Sequence, residues 1–162
     1  MPAKRYAANT NVSSDKSRSQ IEKALIRYGV THFGYASEPK RSMIQFEMNH
    51  RRIRFGLPMP DPADDQFKFR TYGGKPTTTA RTDSERVKVY EQATRQVWAA
   101  LKLVVLAKLE AVAAGISEFE TEFLGHIVVP GTQNQTVAEW LKPQLEKSYS
   151  SGEFLPMLPG SR

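Results

Sequence analysis

The sequence contains no cysteine, which removes disulfide staples, thiol nucleophiles and every cysteine-bearing zinc site from consideration. Histidine is almost as scarce. His32, His50 and His126 are scattered along the chain, and none stands at a metal-binding spacing such as H-x-x-x-H. Nor is there a long hydrophobic run. The most apolar stretch, Val97 to Ala114, is broken by Lys102, Lys108 and Glu110, which is not the pattern of a membrane span. Met1 to Lys16 is polar and lacks the apolar run of a signal peptide, so a cytoplasmic protein is expected. Gly73-Gly74-Lys75 lacks the upstream glycine and the following Ser/Thr of a phosphate-binding loop. No acid, base and nucleophile can be named as a set, so no catalytic residue, metal ligand or cofactor is expected.

What is present suits a folded domain. The 162 residues are 40% hydrophobic and 25% charged, enough for one domain with a sizeable core. The net charge of +6 is unevenly spread. Met1 to Pro60 holds 11 Lys+Arg against 4 Asp+Glu, Asp61 to Leu109 holds 9 against 6, and Glu110 to Arg162 holds 3 against 7. Such asymmetry points to a polyanionic partner for the N-terminal half, or to charge pairing between copies of the chain.

The pattern predicts an α+β fold: helix, three-stranded antiparallel meander, long helix, then a mainly helical C-terminal segment. A flexible basic arm is expected over 1–16. A first helix from Ser17, with Ser17-x-x-Gln20 as a capping box, buries Ile21, Ala24, Leu25 and Tyr28 and ends at Gly29. His32 to Ala36, Met43 to Met48 and Arg51 to Leu57 read as strands, with Asn49-His50 as a two-residue turn. Ile44, Phe46 and Met48, then Ile53, Phe55 and Leu57, face inward; Arg52 and Arg54 face outward. Residues 58–83 form a long loop, within which Gln66 to Tyr72 alternates as a fourth, edge strand would. A second helix begins at Thr82-x-x-Glu85 and runs to Ala114 before Gly115. It is apolar around most of its circumference between Val97 and Ala107, so a second cover is required beyond the sheet, either the C-terminal segment or another copy. Core residues 17–115 and segment 116–162 form one domain. The latter carries candidate caps Ser117-x-x-Glu120 and Thr136-x-x-Glu139, a β-like run His126 to Val129, and Pro143, expected to kink or restart the last helix.

Binding residues are easier to name than catalytic ones. Lys40 and Arg41 at a turn, Arg51, Arg52 and Arg54 on one strand, and Phe67, Lys68, Phe69, Arg70 and Tyr72 in the loop combine cations with aromatics. That combination suits a phosphate backbone and stacked bases. The alternative is an open sheet face whose cations are neutralised by cross-strand partners such as Glu47. Trp98, Leu103 and Leu106 on the long helix, with Phe154, Leu155, Met157 and Leu158 in the tail, are candidates for a protein interface. Glu118, Glu120 and Glu122 read as the acidic first turn of a helix. Asp61, Asp64 and Asp65 lack identifiable partners for two-metal chemistry.

The element order resembles double-stranded-RNA-binding domains, although Ser84-Glu85-Arg86-Val87-Lys88 is not that family's lysine-rich helix start. It is also similar to the core of phage single-strand annealing proteins, which oligomerise and bind DNA along a basic groove. Arg27-Tyr28-Gly29, the strand R-x-I-R-F-x-L-P from Arg51 to Pro58, Gln96 to Leu101 and Lys108 to Val112 together resemble an uncharacterised family of small phage and mobile-element proteins, over Ile21 to Pro159. The resemblance implies a phage-like role. A non-catalytic nucleic-acid-binding protein of replication or recombination is therefore expected, with DNA ahead of RNA as partner and a homo-oligomer as its form. A protein-interaction or inhibitor module directed at a host or phage protein is the second reading, and a metal-dependent nuclease the third.

Overall fold

The computed structural model describes residues 6–38 and 40–152. Helix α1 spans Ser14–Arg27 and is capped by Ser13, whose side chain accepts a hydrogen bond from the Lys16 amide. It thus starts three residues before the expected Ser17 box, because Ser13 takes the extended backbone and the orphan amide that a cap requires. Ser17 is instead buried inside the helix. Part of the expected free arm is tied down as well. Gln92 donates to the Ala8 and Thr10 carbonyls, and Gln96 donates to that of Tyr6.

Strands β1 (His32–Glu38), β2 (Arg41–Met48) and β3 (Arg51–Pro58) form the antiparallel sheet β1-β2-β3. Asn49 and His50 both have positive φ, 50° and 58°. That is the backbone of the two-residue turn whose twist matches the strands it joins. The register sets Phe46 opposite both Phe33 and Ile53, and Ile44 opposite both Tyr35 and Phe55. Ile44, Phe46, Ile53, Phe55 and Leu57 are buried on the inner face, each side chain contributing about 1.5–3 kcal/mol by burial. The far edge of β1 pairs with no strand among the described residues.

Two helices cover that inner face. Helix α3 (Asp83–Ala113) begins with the complete Thr82/Glu85 capping box and ends before Gly115, which has φ +69°. Helix α1 lies along it in parallel. Gln20 accepts from Lys102 and Tyr28 donates to Glu110, at the same sequence offset of 82. Trp98, Ala99, Leu101, Val105 and Leu109 point into the core. Trp98 is only 2% exposed, which corrects its place on a partner surface. An all-round apolar helix does not reveal in its sequence which flank the sheet takes. Leu106 also packs against the core, while Leu103 and Val104 stay 45% and 43% exposed.

The loop between β3 and α3 is not structureless. Helix α2 (Asp65–Lys68) buries Phe67 against Tyr90, and strands β4 (Phe69–Tyr72) and β5 (Lys75–Ala80) form a separate hairpin around Gly73-Gly74. Of the expected strand Gln66 to Tyr72 only Phe69–Tyr72 is extended, Gln66 to Lys68 being helical, and it pairs with β5 and not with the meander.

Helix α4 (Phe119–Phe123) is capped by Glu118 without a side-chain bond, so the Ser117 box does not form. Its Phe119 and Phe123 close the core from the end. A 3₁₀ turn (Leu124–His126) follows, and the next residues run beside β3, where the Val128 amide donates to the Arg52 carbonyl. After a turn through Gly131 and Asn134, helix α5 (Val137–Ser151) starts at the Thr136/Glu139 capping box. Pro143 lies inside this helix without interrupting it. Helix α5 packs on the 3₁₀ turn, so the outer side of α3 around Leu103 and Val104 keeps its exposure. The tail residues Phe154, Leu155, Met157 and Leu158 lie outside the described residues. No helix among the described residues is long and apolar enough to cross a membrane.

Candidate nucleic-acid interface

The outer face of the sheet is where strand alternation sends the polar side chains of β2 and β3. Gln45 stands opposite Arg54 and Glu47 opposite Arg52. Gly56 is the small gap in this face. A Cβ there would meet the Arg41 guanidinium at 3.2 Å, so the glycine lets Arg41 lie across the neighbouring strand.

Each of the seven predicted cations has a carboxylate within ion-pair distance. Lys40 meets Asp61 at 2.7 Å, Lys68 meets Asp65 at 3.2 Å and Arg70 meets Glu85 at 2.9 Å. Arg52 meets Glu47 across the strand pair at 3.7 Å, and Arg51 meets Glu120 at 4.0 Å. Arg41 and Arg54 share Glu139, the former at 3.3 Å. Three of these partnerships use the acidic C-terminal segment. Charge pairing that the composition suggests between copies is thus made, in large part, within one chain. Glu139 was legible only as part of a cap, and Glu120 only as part of a cap or an acidic first turn; no local signal announces that Glu139 has partners 85 and 98 residues away.

The pairs are not equivalent. Arg51 and Arg52 are about half exposed, as are their partners, so each bridge contributes at most about 1 kcal/mol and yields readily to another anion. Arg54 is different. Alternation places it correctly on the outer face, but residues after α4 cover that part of the sheet and leave its side chain 7% exposed. It is therefore not a surface contact for a polymer. Phe67, 3% exposed, is likewise withdrawn from stacking. Phe69 is half-buried, whereas Tyr72 is 86% exposed beside the hairpin tip, with Arg70 and Lys75 exposed on the same hairpin.

The exposed arginines border a groove of about 1160 Å³ between the β2–β3 turn and residues 127–134. Gln45, Glu47, His50, Arg51 and Arg52 line one side, and Gln133 and Asn134 the other. The amide side chains were missed in the sequence. Their signal is the turn-forming run Pro130-Gly131-Thr132-Gln133-Asn134, in which Thr132 braces the turn by donating to the Val129 carbonyl at 2.7 Å. The groove pairs cations with groups that both donate and accept hydrogen bonds.

On the far side of Arg54, His126 stacks on Phe55 at 4.0 Å between centroids. Burial, reinforced by Lys108, holds its pKa below the usual histidine value. Glu139 is pushed up by burial, but the Thr136 amide and the two arginines outweigh this and hold its carboxyl below the usual range. Among the described residues no three His, Asp or Glu side chains are grouped to hold a metal ion. No protein-family model, curated protein or solved structure matches the chain.

Proposed function

We propose that the protein binds nucleic acid without acting on it chemically, using the outer sheet groove for phosphates and the β4–β5 hairpin as a stacking arm. The observation that carries this reading is the groove bordered by Arg51 and Arg52, whose carboxylate partners among the described residues are about half exposed and lie at 4.0 and 3.7 Å, the long end of ion-pair distance. A phosphate offers such an arginine a stronger, bidentate acceptor. Tyr72, with nothing covering its ring, suits the sequence-tolerant stacking of single-stranded bases. A role in phage replication, recombination or annealing, with DNA ahead of RNA, accords with the sequence resemblance.

Fluorescence anisotropy with a labelled single-stranded DNA 30-mer across a salt series tests it. Affinity is expected to fall steeply with salt. The Arg51→Ala/Arg52→Ala pair is expected to flatten the log–log slope by roughly 1.4, since each lost phosphate contact on a single strand removes about 0.7. No binding at low salt would sink the proposal, and an RNA competitor ranks the two polymers.

A second reading, self-association, is favoured by one observation. Ala100, Leu103, Val104, Ala107 and Ala111 form an uncharged band on the outer side of α3, where Leu103 and Val104 are nearly half exposed. Sedimentation of the wild type against Leu103→Glu is expected to show a shift toward monomer. Identical profiles would remove this surface from the account.

A further inference from the structure

A second cavity, of about 480 Å³, opens where α5 begins, lined by Lys40, Arg41, Arg54, His126, Thr136 and Glu139. Its floor holds the buried Arg54 guanidinium, whose Nε has no hydrogen-bond acceptor in the structure. That Nε is sealed from solvent, so an incoming anion meets the guanidinium only at its terminal nitrogens, one of which Glu139 holds. Thr136, Ala138 and Glu139 bring the start of a 15-residue helix to the same space, where its dipole favours negative charge although the Val137 and Glu139 amides already have acceptors. Three cations therefore meet one carboxylate inside the cavity, Glu139; the other acid nearby, Asp61, holds Lys40 from outside its walls.

We propose that this cavity binds a terminal phosphate group, with Glu139 occupying the arginines until the phosphate arrives. The proposal deepens the nucleic-acid reading, since the strand end of that polymer is one source of the group and a free phosphate compound is the other. The charge balance selects a terminal phosphate over a backbone linkage. Lys40 is already held by Asp61, so displacing Glu139 leaves the two arginines to be matched, which a phosphomonoester dianion does and a singly charged diester does not. Arg41 and Arg54 supply paired N–H donors of the geometry that phosphate accepts, and Gly56 leaves the room in which Arg41 reaches them.

Two measurements on the full chain test this, each on the wild type, Glu139→Gln and Arg41→Ala. The first is thermal unfolding and calorimetric titration with inorganic phosphate against chloride at matched ionic strength. The second is anisotropy with one oligonucleotide carrying either a 5′-phosphate or a 5′-hydroxyl. Glutamine keeps the capping box but removes the competing charge. Phosphate is therefore expected to bind Glu139→Gln about tenfold tighter than wild type, and Arg41→Ala about tenfold weaker. The phosphorylated oligonucleotide is expected to outbind its hydroxyl twin, and the gap to close in Arg41→Ala. Phosphate acting no differently from chloride on both wild type and Glu139→Gln overturns the pocket, even if both oligonucleotides bind. Phosphate binding with neither oligonucleotide bound supports the pocket, with a small phosphate compound as its source, and overturns the nucleic-acid reading.

Discussion

Replacing Glu139 by alanine is expected to lower the unfolding free energy by about 3 kcal/mol, an unusual loss for a side chain that is 41% exposed. Two contributions combine. The capping box loses the carboxylate that accepts from the Thr136 amide at 3.0 Å, worth about 1 kcal/mol at a helix start. The larger part comes from Arg54. Its guanidinium stays buried at 7% exposure without its counter-charge, the situation in which breaking an ion pair costs more than the pair contributes. The exposure of Glu139 itself keeps the total toward the lower end of the range for fully buried pairs. In a chain of this size the melting temperature is expected to fall by roughly 6–12 °C. A companion variant separates the causes. Arg54→Met fills similar volume without a charge and is expected to cost far less, because the buried cation disappears together with its need for a partner. Comparable losses in the two variants would refute the account. Acid should act in the same direction. Because the folded pKa of Glu139 is depressed, its contribution is present above the unfolded value of about 4.3 and is lost as pH falls through the lower folded value. The wild type is thus expected to lose stability below about pH 4.3 more steeply than Glu139→Gln, as read from urea unfolding at successive pH values.

Phe123→Ala is expected to cost about 3–5 kcal/mol. The ring is 0% exposed and touches three others. It meets Phe46 edge-on at 6.2 Å and Phe55 at 6.4 Å, and it lies against Phe119 at 5.0 Å. These contacts join the sheet to α4, so the deletion opens a cavity at the junction of elements far apart in sequence, where collapse to refill it is difficult. Denaturant midpoints measured by circular dichroism check the value. A loss below about 1 kcal/mol would mean that α4 is not integral to the core.

The fold was largely written in local patterns. Alternation placed Ile44, Phe46, Ile53 and Phe55 on one face, and Asn49-His50 marked the turn between them. The Thr82/Glu85 and Thr136/Glu139 boxes located two helix starts to the residue. Each of these signals is carried within a few residues, which is why it survives in a single sequence. The first helix shows the limit of the same reasoning. Ser13, Ser14 and Ser17 all qualify as caps, and the structure selects Ser13, whose side chain accepts from the Lys16 amide while Ser17 is buried within the helix. The binding face was legible in composition and not in geometry. Nothing near Arg54 indicates that the chain will return 85 residues later to cover it, and nothing near Trp98 tells which side of an apolar helix meets the sheet.

The position of the acidic partners along the chain has a consequence for how the protein is made. The first 109 residues carry 20 Lys+Arg against 10 Asp+Glu, whereas Glu120, Glu122 and Glu139, which hold Arg51, Lys108, Arg41 and Arg54, are synthesised afterwards. A chain emerging from the ribosome is therefore a polycation on a surface made of RNA until its last third appears. Neutralisation of the sheet face is thus a late step in synthesis, since Arg41, Arg51 and Arg54 gain these partners only once residues 120–139 have been made.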